Sequence, residues 1–124
     1  MTKKKILIVD DDIDILTTYK MGLEGSGLFA VDTFADPEEA LSNFKTGLYD
    51  CLILDLRMPK MNGFELYDKM KQIDNKVKVC FVTAYEVNYQ ALREVFPEPK
   101  SECFTKKPIE IRELVGRIKA ELEQ

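Results

Sequence analysis

The sequence predicts an α/β fold, a (βα)5 arrangement in which a doubly wound, five-stranded parallel sheet has helices on both faces. Two aliphatic runs, residues 6–9 and 51–54, show no alternation with polar residues, which is typical of strands buried on both faces. Strand-like and helix-like segments alternate about five times, and right-handed crossovers place the helices on both sides of one sheet. The 124 residues contain no repeat or linker, so we expect a single domain over residues 1–124.

The first half of the chain contains two strand and helix pairs. The first strand is expected over about residues 4 to 10 and the first helix from about Asp14 to Gly25. A short strand near Phe29 to Thr33 precedes the second helix, which Asp36 can cap and Pro37 can begin. We expect that helix to bury Ala40, Leu41 and Phe44 and to close at Thr46-Gly47.

The second half continues the alternation. The third strand covers about residues 51 to 54, and the loop Met58 to Gly63 leads to a helix with Leu66, Met70 and Ile73 facing inward. The fourth strand covers residues 77 to 82. A helical stretch around residues 89 to 96, a Pro97-Glu98-Pro99 turn and a strand near residues 101 to 105 follow. The final helix has a clear amphipathic stripe, formed by Ile111, Leu114, Val115, Ile118 and Leu122.

The composition excludes several functional classes. With 18 Lys and Arg residues against 22 Asp and Glu residues, the net charge is -4, which gives no sign of a nucleic-acid-binding face. We interpret the one basic cluster, Lys3-Lys4-Lys5, as a solvent-exposed segment that leads into the first strand. No apolar stretch approaches the roughly 20 residues that a membrane span needs, and the first residues do not resemble a signal peptide. We therefore expect a cytoplasmic protein without a membrane partner.

The cysteines are predicted to be structural. Cys51, Cys80 and Cys103 are odd in number and each falls in an apolar or strand-like segment, where a free thiol packs as a small hydrophobe. The chain has no histidine. A zinc site and any His-dependent catalytic triad are therefore not expected.

The strand ends carry the residues that suggest chemistry. Asp10 and Asp11 end the first apolar run and Asp55 ends the run at residues 51–54, while Thr83 and Lys107 follow the fourth and fifth strands. The carboxyl ends of parallel strands share one edge, where such folds bind ligands. Two carboxylates ~4 Å apart repel by roughly 4 kcal/mol at an effective dielectric of about 20, so a cation is expected there. Oxygen ligands without His or Cys favour Mg²⁺, and a phosphoryl group is the ligand expected beside such a metal site.

Some of these residues have simpler interpretations. For Asp12 and Asp14 we favour a helix-capping role over metal binding. Lys107 alone would be a surface lysine, but its position before Pro108 at a strand end favours a phosphate contact. The pairing of Asp10 and Asp11 with Asp55 favours a metal site.

The chain resembles the receiver domains of two-component response regulators over essentially its whole length, which implies their flavodoxin-like topology. Four segments carry the resemblance. They are the acidic cluster Ile6-Leu7-Ile8-Val9-Asp10-Asp11-Asp12, the loop Asp55-Leu56-Arg57-Met58-Pro59-Lys60-Met61-Asn62-Gly63, the triplet Val82-Thr83-Ala84 and the segment Phe104-Thr105-Lys106-Lys107-Pro108. Each is weak alone, but four at this spacing are highly specific.

The resemblance implies a phosphorylation site that uses Mg²⁺ as cofactor. Asp55 would be the phosphoacceptor, with a histidine kinase or a histidine phosphotransfer protein as the donor. Asp11 would bind Mg²⁺ directly and Asp10 largely through water, and the metal site would include Asp55 and the backbone carbonyl of Arg57. The resemblance also implies a cis peptide bond at Lys107-Pro108.

The same resemblance assigns roles in catalysis and signalling. Thr83 and Lys107 would bind phosphoryl oxygens beside Asp55, and Phe104 would be an aromatic switch that turns inward when Thr83 moves. The chain would then not be an ordinary enzyme but a signalling phosphoacceptor with intrinsic Mg-dependent phosphotransfer and autodephosphorylation. We expect a stand-alone receiver without an output domain.

Signalling is expected to use a surface formed by the fourth helix, fifth strand and fifth helix. That surface would dock on a downstream protein target and not directly on nucleic acid, and it also suits a phosphorylation-dependent homodimer that buries Tyr89, Arg93 and Arg112. Arg57 and Tyr85, both large, flank the predicted water approach to Asp55 and are expected to prolong the phosphorylated state.

The sequence departs from the usual receiver pattern at Lys100-Ser101-Glu102-Cys103-Phe104, where a Gly-Ala pair is common, and at the extra turn Pro97-Glu98-Pro99. Three other functions fit the sequence less well. A phosphatase of the haloacid-dehalogenase type needs a second acid where Arg57 stands, and a flavin-binding electron carrier would place its phosphate against the repelling Asp10 to Asp12 cluster. A receiver-like module that is never phosphorylated is disfavoured by the intact acid, threonine and lysine set.

Overall fold

Five parallel strands form one sheet in the order β2-β1-β3-β4-β5. The structure, a computed structural model, describes residues 2–84 and 104–123. The strands are β1 (Lys4–Val9), β2 (Phe29–Phe34), β3 (Cys51–Leu54), β4 (Lys78–Thr83) and β5 (Phe104–Lys106). The helices of the described part are α1 (Ile13–Gly25), α2 (Pro37–Ser42), α3 (Gly63–Ile73) and the C-terminal helix (Ile111–Leu122).

Helices cover both faces of the sheet, as the uninterrupted aliphatic runs predicted. Within β1, Leu7 and Val9 point into a core shared with α2 and α3, whereas Ile6 and Ile8 point into a core shared with α1 and the C-terminal helix. The strand order reverses between β1 and β3, because β2 lies on one side of β1 and the later strands lie on the other. This doubly wound topology confirms the predicted fold class, and folds of this class bind ligands at the point where the strand order reverses.

Helix caps explain where the helices begin. The Asp12 side chain accepts hydrogen bonds from the backbone N–H groups of Asp14 and Ile15, at 3.0 and 3.4 Å. The capping role favoured for Asp12 is therefore confirmed, while Asp14 lies in the first turn. Asp36 caps α2 with Pro37 as the first helical residue, as predicted. Helix α3 begins with a capping box in which Asn62 and Glu65 each bind the other's backbone.

Two details of the predicted helices are wrong. Helix α2 ends at Ser42 and not at Thr46-Gly47, because the Ser42 and Asn43 side chains donate to carbonyls of the preceding turn. Ile73, predicted to face inward, is 43% exposed. The buried position next to it is taken by Asp74, whose carboxylate accepts N–H groups from Gly47 and Lys76.

The outer edge of the sheet at β2 is covered by side chains of α1. Lys20 Nζ donates to the Val31 carbonyl at 3.0 Å, and a Glu24 carboxylate oxygen accepts the Val31 N–H at 3.2 Å. Val31 pairs with Ile6 on the β1 side. Both peptide groups that this edge residue turns outward are thus satisfied within the chain.

Other predictions concern the later part of the chain. The Lys107-Pro108 peptide bond is cis, as the resemblance implied. The predicted fourth helix, the Pro97-Glu98-Pro99 turn and the start of the fifth strand lie outside the described residues. Among residues 2–84 and 104–123, no helix is both long and apolar enough to cross a membrane.

Candidate functional site

Three aspartates meet at the carboxyl edge of the sheet. Asp10 follows β1 and Asp55 follows β3, and these strands pair directly, with Val9 opposite Leu54. One carboxylate oxygen from each of Asp10, Asp11 and Asp55 lies within 4.8 Å of the other two. Asp10 and Asp55 are buried, whereas Asp11 is exposed. The site therefore combines two carboxylates removed from solvent with a third at its entrance.

Lys107, which follows β5 at one side of the strand order, brings a positive charge to these carboxylates. Its ammonium lies 2.6 Å from Asp10 Oδ2 and 3.7 Å from Asp55 Oδ1. The Lys107 N–H also donates to the Thr83 carbonyl at 2.7 Å, which fixes the end of β5 against the end of β4. Lys107, Thr83 and Asp55 are thereby placed at one edge, as the sequence predicted.

The electrostatics of the site explain why it suits a cation. Burial and the neighbouring charge of Asp10 raise the pKa of Asp55 to about 6, although Lys107 opposes the rise. Burial, Asp10 and Asp55 together raise the pKa of Tyr19 to about 12. One ammonium thus does not compensate the negative charge of the cluster. The donor set consists of carboxylate oxygens, which fits Mg²⁺.

Asp10 is held in place by two contacts. Its Oδ1 accepts the Asp12 N–H at 3.0 Å and its Oδ2 binds Lys107. The first contact orients the carboxylate, because it ties the side chain to the turn that starts α1. The second contact means that a cation approaching Asp10 meets an oxygen already paired with an ammonium.

The two predicted switch residues lie on neighbouring strands. Thr83 is buried as the last residue of β4, and Phe104 is the first residue of β5. The Phe104 ring stacks on Phe81 at a centroid distance of 5.1 Å and lies 5.8 Å from the Phe64 ring. Phe104 is only 7% exposed, so its ring is turned inward in this structure.

The loop between β3 and α3 depends on residues whose roles sequence reasoning missed. Gly63 donates its N–H to the Leu56 carbonyl at 3.0 Å, and a Cβ at this position would collide with the Asp55 carbonyl oxygen. Lys60 has a φ of 74° and its ammonium binds the Asp36 carboxylate at 3.0 Å. The glycine at the helix start was a visible signal for the first role, whereas nothing local indicated the second.

Of the two residues predicted to control the lifetime of the phosphorylated state, the structure describes only Arg57. Arg57 is exposed in the loop after Asp55, and its backbone contributes a hydrogen bond that lowers the pKa of Asp55. Tyr85 lies outside the described residues, as do Tyr89 and Arg93 of the predicted signalling surface. Arg112 is exposed near the start of the C-terminal helix.

Comparisons with known proteins agree on one family. The model of the response regulator receiver domain family matches residues 6–119. The transcriptional regulatory protein PrrA of Mycobacterium tuberculosis is 33% identical over 124 residues, which cover 100% of this chain and 52% of PrrA. The alkaline phosphatase synthesis transcriptional regulatory protein PhoP of Bacillus subtilis is 33% identical over 121 residues, 98% of this chain and 49% of PhoP.

A solved structure gives the same result for the fold. The CheY-like response regulator receiver domain protein from Methanospirillum hungatei JF-1 superimposes with a TM-score of 0.86 at 30% identity, covering 98% of this chain and 95% of that one. The chain spans about half the length of the curated relatives it matches. Sequence, fold and comparisons together show that the chain belongs to the response regulator receiver domain family of two-component systems.

Proposed function

We propose that Asp55 accepts a phosphoryl group from a histidine kinase or a histidine phosphotransfer protein in a Mg²⁺-dependent reaction. One observation carries this proposal: Asp55 shares an edge of the sheet with Asp10 and Asp11, while the Lys107 ammonium lies 3.7 Å from the Asp55 carboxylate. A nucleophile, a cation site and a fixed positive charge are the parts that phosphoryl transfer requires.

The Asp55 carboxylate is suited to act as the nucleophile. Its oxygen would attack phosphorus, forming an O–P bond while the N–P bond to the donor imidazole breaks. The bonding electron pair would leave with the imidazole nitrogen, which takes up a proton. With a pKa of about 6, Asp55 is ionised at neutral pH yet more basic than an ordinary carboxylate, which favours attack.

The metal site would use the clustered carboxylates. Asp10, Asp11 and Asp55, together with the backbone carbonyl of Arg57 that the resemblance adds, would hold Mg²⁺. When bound, the ion supplies positive charge that neutralises phosphoryl oxygens. The repulsion that raises the pKa of Asp55 supports this assignment, because a cation relieves it.

Lys107 and Thr83 would stabilise the transferred group. The Lys107 side chain is 13% exposed and its ammonium lies between Asp10 and Asp55, so a short movement would bring it to a phosphoryl oxygen on Asp55. Thr83 would donate its hydroxyl to another phosphoryl oxygen. Because the Lys107 N–H is bonded to the Thr83 carbonyl, movement of one residue is transmitted to the other.

The phosphodonor protein would dock beside α1. Ile13 and Met21 are 67% and 71% exposed and lie eight residues apart on this helix, with the exposed Thr17 midway between them. Residues at i, i+4 and i+8 form one stripe on a helix. The stripe begins next to Asp11, so an apolar helical surface resting on it would place a phosphohistidine at the entrance of the site.

Output would pass through a change in the position of Phe104. The ring is inward here and packs on Phe81 and Phe64, and the alternative is an outward ring that alters the surface of β5. Phosphorylation would bias this equilibrium through Thr83. We propose that the altered surface docks on a protein target, and that autodephosphorylation resets it.

A second candidate for output is control of transcription by a further part of a longer protein. The observation that favours it is the description of relatives such as PrrA as transcriptional regulatory proteins about twice as long as this chain. In that case the change at Phe104 would act on a DNA-binding part and not on a separate target.

The test is chemical phosphorylation of the purified chain. Incubation with acetyl phosphate and Mg²⁺ should add one phosphoryl group, measured by intact-protein mass spectrometry, and a chelator should abolish the addition. Asp55→Asn should remove labelling, whereas Asp68→Asn, a change at an exposed aspartate of α3, should leave it intact. Undiminished labelling of the Asp55 variant would refute the assignment.

A further inference from the structure

The edge of the sheet opposite the aspartate cluster contains a cleft of about 430 Å³. Its lining includes Lys4 and Lys78, which begin β1 and β4, and Lys76 in the turn before β4. All parallel strands start at the same edge, so residues far apart in sequence meet here. We refer to this feature as the amino-edge cleft.

The register of the sheet places two of these lysines on the same face. Ile6 lies opposite Cys51 and Cys51 lies opposite Lys78, and lateral neighbours in a sheet point to the same face. Side chains alternate along a strand, so Lys4 leaves the sheet on the same face as Ile6. Lys4 and Lys78 therefore point to the face covered by the C-terminal helix, whose last residue, Leu122, also lines the cleft.

The carboxylates that line the amino-edge cleft accept hydrogen bonds from the backbone, whereas its lysine ammoniums have no such partners among the described residues. Asp50 accepts the Lys5 N–H at 2.8 Å, and Asp74 accepts the N–H groups of Gly47 and Lys76 at 2.9 and 3.0 Å. Both carboxylates thus hold backbone in place. In the part of the chain that the structure describes, the ammonium groups of the three lysines form no ion pair.

We propose that the amino-edge cleft binds a multiply charged small anion of the polyphosphate class. Lysine ammoniums are compact donors for phosphate oxygens, and three of them surround a volume within the range of small-molecule sites. The cleft is larger than a single phosphate needs, which favours a chain of phosphates that several lysines contact at once. The chain as a whole carries a charge of -4, whereas the three lysines of the cleft outnumber its two carboxylates, Asp50 and Asp74, so the excess of positive charge is local.

The proposal does not depend on the phosphoacceptor role of Asp55, because the two sites lie at opposite edges of the sheet. The chemistry is shared by inorganic polyphosphate and by the phosphate chain of a nucleoside triphosphate. A nucleoside would add contacts beyond the lysines, whereas inorganic polyphosphate would use the lysines alone.

The experiment is a titration of the full chain with tripolyphosphate, without added Mg²⁺, followed by calorimetry and amide chemical shifts. Lys76→Gln with Lys78→Gln should weaken binding by about tenfold or more, since each lost charge-assisted hydrogen bond contributes substantially. The control, Lys69→Gln with Lys119→Gln, removes the same charge from exposed lysines that do not line the cleft. It should change the affinity by less than about twofold.

Shift changes in the wild-type chain should centre on the starts of β1 and β4. A parallel titration with adenosine triphosphate identifies the source: tighter binding than tripolyphosphate indicates a nucleotide site, and equal binding indicates recognition of the phosphate chain alone. The proposal is overturned by equal loss in the two double variants, by shifts confined to the carboxyl edge, or by no binding at about 1 mM ligand. Circular dichroism checks that all variants fold.

Discussion

Two buried aspartates at opposite edges of the same sheet differ in the direction of their pKa shifts. Asp55 and Asp74 are each 7% exposed. Burial and Asp10 raise the pKa of Asp55 to about 6, whereas backbone N–H groups of Gly47 and Lys76 lower the pKa of Asp74. Burial alone therefore does not decide the protonation of a carboxyl group. Its hydrogen-bond donors and neighbouring charges do.

The contrast separates Asp74, which stabilises the fold, from Asp55, for which we propose a chemical role. The ionised form of Asp74 is satisfied by donors that also fix two turns, so it stabilises the fold. The ionised form of Asp55 faces like charges, so the unphosphorylated, metal-free chain holds it at a cost in stability. Five predictions test this difference, beginning with the largest expected effect.

Replacement of Asp74 by Ala should destabilise the protein by about 2–4 kcal/mol, because two partly buried hydrogen bonds to a charged acceptor are lost. Urea unfolding measures the change. The matched control is Asp68→Ala on the exposed face of α3, for which we expect less than about 0.5 kcal/mol. Similar losses in the two variants would show that the Asp74 bonds contribute little.

Replacement of Asp55 by Asn should instead stabilise the protein against unfolding. At pH 7.5 without Mg²⁺ we expect about 1–3 kcal/mol of added stability, because the variant removes a carboxylate whose folded pKa lies above its ordinary value. The measurement is again urea unfolding. A destabilised Asp55→Asn protein would mean that Lys107 outweighs the repulsion from Asp10.

The pH dependence follows from the same shifts. Between the ordinary value of 3.8 and about 6 the folded state holds more protons at Asp55 than the unfolded state, so stability falls as pH rises through this window. The advantage of Asp55→Asn should therefore vanish below pH 3.8 and be complete above about pH 6. Asp74 has the reverse sign: its contribution is present above 3.8 and is lost as pH falls through its lowered pKa.

Two glycines extend the comparison from side chains to backbone. A Cβ at Gly63 meets the Asp55 carbonyl, whereas a Cβ at Gly47 meets open space. Gly63→Ala should cost about 1–3 kcal/mol through displaced backbone and should also slow labelling of Asp55. Gly47 has a φ of +76°, so Gly47→Ala should cost about 1–2 kcal/mol and leave labelling unchanged. Equal labelling rates would show that close packing at Gly63 does not shape the loop between β3 and α3.

The smallest expected effect concerns cation binding. Because Lys107 occupies Asp10 Oδ2 at 2.6 Å, Lys107→Met should raise the affinity for Mg²⁺ a few-fold while impairing phosphorylation or its consequences. Amide chemical shifts followed during a Mg²⁺ titration provide the measurement, and Lys106→Met at the end of β5 is the control. Weaker Mg²⁺ binding by Lys107→Met would contradict competition for Asp10.

The sequence was sufficient for the sheet and for the residues at its carboxyl edge. Aliphatic runs that end in aspartate determine both which strands are buried and where their charges emerge, so Asp10 and Asp55 were predicted together. Features set by contacts distant in sequence were missed. The ion pair of Lys60 with Asp36 joins residues 24 apart, and the burial of Asp74 depends on the turn at Gly47. Local patterns contain no information about such partners.

The contacts of α1 with Val31 have a consequence for how the chain behaves among other proteins. An edge strand normally presents unpaired N–H and C=O groups that an extended segment of another chain can pair with. Such pairing can start ordered aggregation. Here Lys20 and Glu24 engage the outward N–H and C=O of Val31. A foreign strand that paired at Val31 would have to displace both charged side chains. Helix α1 therefore protects the β2 edge at Val31 from pairing with another chain.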